Sequence, residues 1–354
     1  MHTTVKKSPL NVLLNAVLEP RDADFWLQKI NPLWSVEQAL GKIVHKEQSA
    51  QDTLSFTLQV NKHFQMGQAG QHHPVFVVVN GVRYERTYSL SKIDDKHVLL
   101  TVKKVAGGKV STWLLEQAQV GDILELGQPF GEMTLPKTTA PLVLLAAGSG
   151  ITPMYSLLQN LVQTQQITDQ NVTLLYWVKT QADAAFVKQF QAWSTQYSNF
   201  KFQLLCTQES PQAARLNAEH LALVDNLEQA TVYACGPSGF AKQAEQVFSQ
   251  AQLIQTEAFS MTVESSAEIG FVNITLTQSN QVLTIPKGQS ILVALEQQNI
   301  KPKHGCRMGI CNKCACNKAE GSTKNIINGA QNAEPGNLLK ICVNSAQSDL
   351  IIDL

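Results

Sequence analysis

The sequence predicts a multidomain chain: an antiparallel β-barrel, then an α/β domain on a parallel sheet, then a small cysteine-bearing domain at the C-terminus. Three observations carry this prediction. Short alternating segments with few helical stretches fill residues 53 to about 135, which is the pattern of a small antiparallel barrel. From Pro141 the texture changes to continuous apolar runs separated by helical periodicity, as expected of strands buried on both faces. Near the C-terminus, Cys306, Cys311, Cys314 and Cys342 spell C-x4-C-x2-C followed by a distant fourth cysteine.

In chain order, residues 1–40 read as a helical N-terminal extension. Lys6 and Lys7 precede an apolar run from Leu10 to Leu18 that superficially resembles a signal peptide. Asn11 and Asn15 interrupt the run, Glu19, Arg21 and Asp22 end it, and no small-x-small cleavage site follows. No segment reaches membrane-spanning length, so a cytoplasmic location is expected. The barrel is assigned to 41–137, with strands at Thr53–Val60, Pro74–Val79, Val82–Leu90, His97–Lys104 and Ile123–Leu126.

The α/β domain is assigned to 138–262. Leu142–Ala147 runs into Gly148-Ser149-Gly150 and a helix through Leu161. Val172–Val178 precedes a helix from about Asp183, Phe202–Cys206 precedes one at Asn217–Leu223, and Ala230–Ala234 precedes one at Gly239–Gln250. Ser260–Glu268 is polar and poor in pattern, as a linker is. The last domain, 267–354, opens with a hairpin-like pair, Phe271–Thr277 and Gln281–Ile285, and a helix at Ser290–Gln298.

Composition narrows the function classes. The 354 residues carry 28 Lys plus Arg against 28 Asp plus Glu, and no basic stripe with interleaved aromatics occurs, so no nucleic-acid partner is expected. The cysteine spacing is that of a plant-type [2Fe-2S] centre, with Cys306, Cys311, Cys314 and Cys342 as ligands. Structural zinc is the alternative, ranked lower because zinc sites usually pair two short knuckles or add histidines, and His304 falls outside the spacing. A disulfide framework ranks last. Cys316 breaks the spacing and reads as a non-ligand. Such a cluster holds one electron whereas nicotinamide delivers two as hydride, and flavin is the usual cofactor able to do both.

The upstream motifs carry a family resemblance. Arg86-Thr87-Tyr88-Ser89-Leu90 resembles the Arg-x-Tyr-Ser flavin motif of the ferredoxin-NADP reductase superfamily, after a Gly70-Gln71 turn. The resemblance implies that Arg86 meets the flavin phosphates, Tyr88 packs on the isoalloxazine, and Ser89 hydrogen-bonds near flavin N5, with Thr87 between them. Val102-Lys103 and Gly107-Gly108-Lys109-Val110-Ser111-Thr112 resemble the second flavin motif, a glycine turn opening a helix that receives pyrophosphate. This pattern favours FAD over the FMN of a related branch. Gly148-Ser149-Gly150-Ile151-Thr152-Pro153 resembles the nicotinamide motif, with Pro153 where a dinucleotide fingerprint has its third glycine. Cys235-Gly236-Pro237 resembles its second half, Cys235 shaping the pocket where nicotinamide meets flavin. Phe259 reads equally as a flavin neighbour or as core packing. Lys179 follows the second parallel strand where a cation meets a 2′-phosphate, which favours NADPH, with NADH as the alternative. His72, His73 and His97 read as structural or surface residues.

The resemblance covers residues from about 41 to the end and implies a flavin-binding barrel, a nucleotide-binding α/β domain and a C-terminal β-grasp ferredoxin domain. The implied activity is an NAD(P)H-dependent electron-transfer oxidoreductase passing electrons from NADPH through FAD and [2Fe-2S] to a separate iron-dependent acceptor. Within that group the N-terminal extension resembles the electron-transfer partners of membrane fatty-acid desaturases such as stearoyl-CoA desaturase. Trp26, Leu27, Ile30, Leu33 and Trp34 then serve to dock the partner or its membrane at the inner face, or pack on the barrel. The alternative acceptor is the oxygenase of an aromatic-ring-hydroxylating system or a diiron monooxygenase.

Overall fold

A computed structural model describes residues 20–209, 215–260, 270–327 and 329–354. The apolar run at 10–18 and most of the proposed linker lie outside the described residues. Helix α1 (Pro20–Ile30) leads into the barrel. Asp24 is buried and accepts hydrogen bonds from Ser35 Oγ (2.8 Å) and Val36 N (2.6 Å), fastening α1 to the chain that follows it. The aromatic side chains Phe25, Trp26 and Trp34 and the aliphatic Ile30 remain exposed. Among the described residues no helix is long and apolar enough to cross a membrane.

Six antiparallel strands close the barrel: β1 (Leu40–Ala50), β2 (Thr53–Val60), β3 (His72–Val79), β4 (Val82–Lys92), β5 (His97–Lys103) and β6 (Ile123–Leu126), in the order β1-β2-β5-β4-β3-β6. Strand β1 is absent from the sequence reading for a physical reason. Its outer face carries Lys42, His45 and Glu47, the polar Lys46 and Gln48 fall on the side of the core residues Phe56 and Leu54, and register shifts at Ile43/His45 and Gln48/Ala50 break the alternation that marks a strand. Asn80-Gly81, both with positive φ (51° and 75°), turn β3 into β4 as a tight hairpin requires. Ile43, Phe56, Leu58, Val75, Leu90, Leu100 and Leu124 fill the core with no exposure, and helix α2 (Lys109–Glu116) adds Val110 and Leu114 to it.

The second domain is a five-stranded all-parallel sheet. Its strands β7 (Leu142–Ala147), β8 (Val172–Val178), β9 (Phe200–Cys206), β10 (Thr231–Pro237) and β11 (Leu253–Ser260) lie in the order β11-β10-β7-β8-β9. Helices α3 (Ile151–Gln163), α4 (Val187–Gln196) and α5 (Ser238–Val247) cover it, with a separate apolar cluster on each face. Two helical readings are corrected. The one from Asp183 starts at Val187, because the side chains of Thr180 and Asp183 cap a short 3-10 turn first. The stretch at Asn217–Leu223 is a 3-10 run over Ala218–Leu223, capped by Asn217, and never settles into an α-helix.

The C-terminal domain pairs β12 (Phe271–Leu276) with β13 (Gln281–Pro286), then places α6 (Ile291–Gln297) across the sheet. After the cysteine loop come β14 (Ala315–Glu320), β15 (Thr323–Asn325), β16 (Gln331–Asn332), β17 (Asn337–Lys340), β18 (Asn344–Ala346) and β19 (Leu350–Ile352). The main sheet runs β13-β12-β19-β14-β17, with β19 parallel to β12, and β16-β15-β18 form a small second sheet. This is the β-grasp arrangement, and it completes the three-part architecture expected from sequence.

Interlocking hydrogen bonds hold barrel and parallel sheet together. Ser156 Oγ on α3 donates to Leu90 O (3.0 Å), and Lys103 Nζ reaches Asp183 Oδ1 (3.0 Å). Tyr233 Oη donates to Thr134 O (2.6 Å).

His73 makes barrel stability pH-dependent. The ring is fully buried, its Nε2 accepts from Gly67 N and its Nδ1 donates to Gly127 O. Burial lowers its pKa from 6.5 to about 4, against the Gly127 hydrogen bond. The unfolded chain therefore binds the extra proton first. Stability from His73 is complete above pH 6.5 and is lost as pH falls toward 4, by about 3 kcal/mol in all. Urea unfolding midpoints should fall across that window, and His73→Gln should flatten that part of the profile.

Candidate functional site

Strand β4 pairs with β5 only over Leu90–Lys92, whereas β5 stays paired with β2 to its end at Lys103. Residues 86–89 and 101–103 therefore diverge, and the opened seam is one wall of a cleft of about 360 Å³. Along β4, Arg86, Thr87, Tyr88 and Ser89 all line it. The Arg86 cation is half-buried and has no carboxylate within ion-pair distance among the described residues; its Nη1 donates only to Glu85 O (2.7 Å). Burial and then the Arg307 charge lower its pKa, yet a guanidinium stays protonated, so a charge is held here for an anion. Burial raises the Tyr88 pKa and keeps the phenol neutral. Thr87 Oγ1 is buried with no hydrogen-bond partner among the described residues, the mark of a polar ligand's place.

Alternation on β5 sends Lys103 and Thr101 into the cleft and turns Val102 into the barrel core, so any contact from Val102 to a ligand is through its backbone. Lys103 is already paired with Asp183. Gly107, with φ of 73°, and Gly108 bring the chain to the start of α2, where Gly108, Val110 and Ser111 line the cleft and Thr112 does not.

The parallel sheet closes the other side. Its strand order reverses between β7 and β10, the switch point where open α/β sheets leave a crevice at the strands' carboxyl ends. Gly148–Pro153 follow β7, and Cys235-Gly236-Pro237 end β10, so the two motifs meet there. The approach is close: a Cβ on Gly150 would lie 2.0 Å from Cys235 O, and one on Gly236 would lie 2.7 Å from Phe240 Cδ1 and 2.9 Å from Ala147 Cβ. Thr152, Pro153 and Cys235 face the cleft. Burial, then the Glu257 charge, raises the Cys235 pKa and leaves a neutral thiol suited to shaping a wall. Phe259, at the end of β11, lines the cleft and also packs against the sheet's core. Lys179 is exposed at the carboxyl end of β8 and lies outside the cleft lining.

The structure also brings in His72. Register on the β3–β4 pair sets His72 opposite Ser89. Its Nε2 lies 2.5 Å from Glu257 Oε2 on β11 and its Nδ1 lies 2.9 Å from Ser89 Oγ. In the Nε2–H tautomer the ring donates to the carboxylate and Nδ1 accepts the Ser89 hydroxyl, leaving lone pairs of Ser89 Oγ toward the cleft. His97 is a surface residue paired with Asp94, and His73 is structural. No sequence pattern links His72 to a carboxylate 185 positions away.

The cysteine loop forms the cleft's remaining wall through Cys306, Met308 and Ile310. The four cysteines fall into two pairs: Cys306 with Cys311, and Cys314 with Cys342, each sharing a thiol hydrogen bond. That sharing lowers Cys311 to about 5 and Cys314 to about 7 and raises their partners. Cys311 N and Met308 N donate to Cys306 Sγ (3.3 and 3.4 Å), and Cys306 N to Cys311 Sγ (3.2 Å). Among the described residues no three His, Cys, Asp or Glu side chains converge on one ion position. Two thiolate pairs suit two iron atoms, where structural zinc needs one tetrahedral set. Cys316 is buried on β14, its thiol toward Leu339 O (3.8 Å). Cys314→Ser should therefore strip iron and the cluster's share of the visible absorbance, leaving the flavin's, whereas Cys316→Ser should keep about two irons per chain by metal analysis.

Comparison with known proteins agrees with the three-part division. Family models match for an oxidoreductase FAD-binding domain at residues 40–135, an oxidoreductase NAD-binding domain at 144–246, and a 2Fe-2S iron-sulfur cluster binding domain at 274–343. The chain is 30% identical over 349 residues to a Mycobacterium tuberculosis NADPH oxidoreductase, covering 96% of this chain and 90% of that one. It is 28% identical over 323 residues to the Escherichia coli NADH oxidoreductase HCR, covering 88% and 96%. Among solved structures it resembles phthalate dioxygenase reductase, described as a modular structure for electron transfer from pyridine nucleotides to [2Fe-2S], with a TM-score of 0.64 and 25% identity over 89% of this chain and 97% of that one.

Proposed function

This chain belongs to the ferredoxin-NADP reductase superfamily, as an NAD(P)H-dependent electron-transfer oxidoreductase with FAD-binding, NAD-binding and [2Fe-2S] domains, and from that premise we propose that it is the reductase component of an iron-dependent oxygenase. The observation that carries the proposal is the near full-length likeness to phthalate dioxygenase reductase, described as a modular structure for electron transfer from pyridine nucleotides to [2Fe-2S]. Flavin supplies the exchange between a two-electron donor and a one-electron centre. For each NAD(P)H consumed, two oxidised acceptors take one electron each and one proton is released.

The roles of individual residues are part of the proposal. Arg86 holds a phosphate charge, and the orphaned Thr87 hydroxyl bonds the same cofactor. Tyr88 and Phe259 bound the ring system, and Ser89, oriented by His72 and Glu257, presents an acceptor to it. The N-terminus of α2 with Gly108 and Ser111 receives pyrophosphate. Gly148, Gly150, Thr152, Pro153, Cys235, Gly236 and Pro237 form the nicotinamide crevice, and Lys179 meets a 2′-phosphate, favouring NADPH. The four cysteines 306, 311, 314 and 342 hold the cluster. Domain limits of 41–137, 138–262 and 267–354 are proposed with it.

A membrane fatty-acid desaturase is the second reading, favoured by the exposed Phe25, Trp26, Ile30 and Trp34 at the N-terminal extension. Reconstitution separates the two. With NADPH in excess, the protein should support product formation by an aromatic-ring dioxygenase component. Product with a vesicle-bound stearoyl-CoA desaturase alone would overturn the oxygenase assignment. Lys179→Glu should raise the KM for NADPH about tenfold and leave that for NADH within about twofold, by loss of roughly one ion pair and gain of repulsion.

A further inference from the structure

We propose that the Glu85–Lys313 ion pair is the latch that registers the cluster loop against the flavin barrel, setting the one-electron step and not hydride entry. The inference rests on the reductase reading above and names two positioning residues for it. Glu85 immediately precedes Arg86 on β4, and its side chain is only 13% exposed. Both its oxygens accept from Lys313 Nζ, at 2.9 and 2.8 Å. Lys313 stands between Cys311 and Cys314, so the latch grips the peptide that joins the two thiolate pairs.

The contact is built closely. A Cβ on Gly305 would fall 2.8 Å from Glu85 Oε1, 2.8 Å from Cys311 Sγ and 2.9 Å from Lys313 Cδ. A side chain at the residue before the first cysteine of the loop would therefore displace Glu85, Lys313 or Cys311 from this arrangement. The Lys313 ammonium also lies 5.4 Å from the centroid of Phe76, whose ring is covered by Arg83 at 3.7 Å, and Arg83 is neutralised by Glu125 at 2.7 Å. The positive site on the loop thus meets a carboxylate and an aromatic face on the barrel. Among the described residues this is the one ion pair joining the C-terminal domain to the rest. Where the loop meets the cleft, Met308 and Ile310 offer apolar contact, which attracts without fixing register. The ion pair supplies that register. Electron transfer falls steeply with distance, so a loop that slips on the barrel loses rate even while both cofactors remain bound.

The test uses the holoprotein. Zero-length carbodiimide coupling at low salt should join peptides bearing Glu85 and Lys313, with the Lys103–Asp183 pair as internal control, and Glu85→Gln should abolish only the first product. Glu85→Gln and Lys313→Gln should each slow NADPH-dependent cytochrome c reduction about fivefold at low salt, the upper range for a partly exposed pair. Ferricyanide reduction at the flavin and iron content should stay unchanged. The charge-swapped protein, Glu85→Lys with Lys313→Glu, should recover most of the rate, and added salt should slow wild type toward the single variants. Single variants as fast as wild type, a swap no better than either single, or a control cross-link without the Glu85–Lys313 product would each overturn the latch. If wild type fails to bleach its cluster with NADPH, the reductase reading falls, and the cross-link still decides whether the two residues meet.

Discussion

The site depends on where β4 parts from β5. Backbone pairing between them is confined to Leu90–Lys92, and the gap left beyond Leu90 exposes consecutive residues of one strand to a ligand. A closed barrel has no spare edge, so opening a seam leaves backbone donors and acceptors that something must satisfy. The helix α2 plugs the barrel next to the seam, adding buried Val110 and Leu114, and its N-terminal turn brings unpaired N–H groups to the same place. The buried Thr87 hydroxyl, without a partner among the described residues, belongs with these unsatisfied groups and suits a polar ligand in the seam.

The parallel sheet answers the seam through its own constraint. Strands β7 and β10 are neighbours, yet their following helices leave in different directions, so Gly150 passes within a glycine's reach of Cys235 O. Any larger residue would push the β7–α3 turn off the switch point. The bond from Ser156 to Leu90 O lands on the residue where β4 and β5 begin to separate, so α3 stabilises the edge of the opening it faces. His72 then ties the two halves across the cleft, with one ring nitrogen on the barrel's Ser89 and the other on the sheet's Glu257. A network of this kind in a buried setting fixes geometry because every member has a partner.

Much of this was legible in the sequence, and what was missed has physical causes. Continuous runs such as Leu142–Ala147 declare a strand buried on both faces, and the C-x4-C-x2-C spacing marks three candidate ligands because a tight loop must present them in order. Strand β1 hid because its solvent face is charged and its two register shifts destroy the period. Val102 was grouped with Lys103 by motif, but adjacent residues of a strand face opposite ways, and only Lys103 turns to the cleft. His72 was indistinguishable from His73 in sequence. One residue's difference in register puts the first beside Ser89 in the cleft and the second, neutral and buried, against Phe64. The pairing of Lys313 with Glu85 joins positions 228 apart, which no local signal specifies.

The arrangement of walls has a chemical logic. The two glycine motifs lie on the sheet side of the cleft and the cysteine loop on another, so the proposed two-electron donor and one-electron outlet have separate approaches. Cys306, Met308 and Ile310 form part of the cleft wall, so the C-terminal domain covers that side against a molecule the size of a protein. Small oxidants face no such limit. The same loop must approach the barrel closely enough to receive an electron and still present the cluster outward. The paired cysteines suit both demands: Cys306, toward the cleft, is buried, and Cys311, in the same pair, is partly exposed. The two faces of the loop are therefore unlike, one closed against the cleft and the other open to solvent, as the proposed receipt and delivery of an electron require.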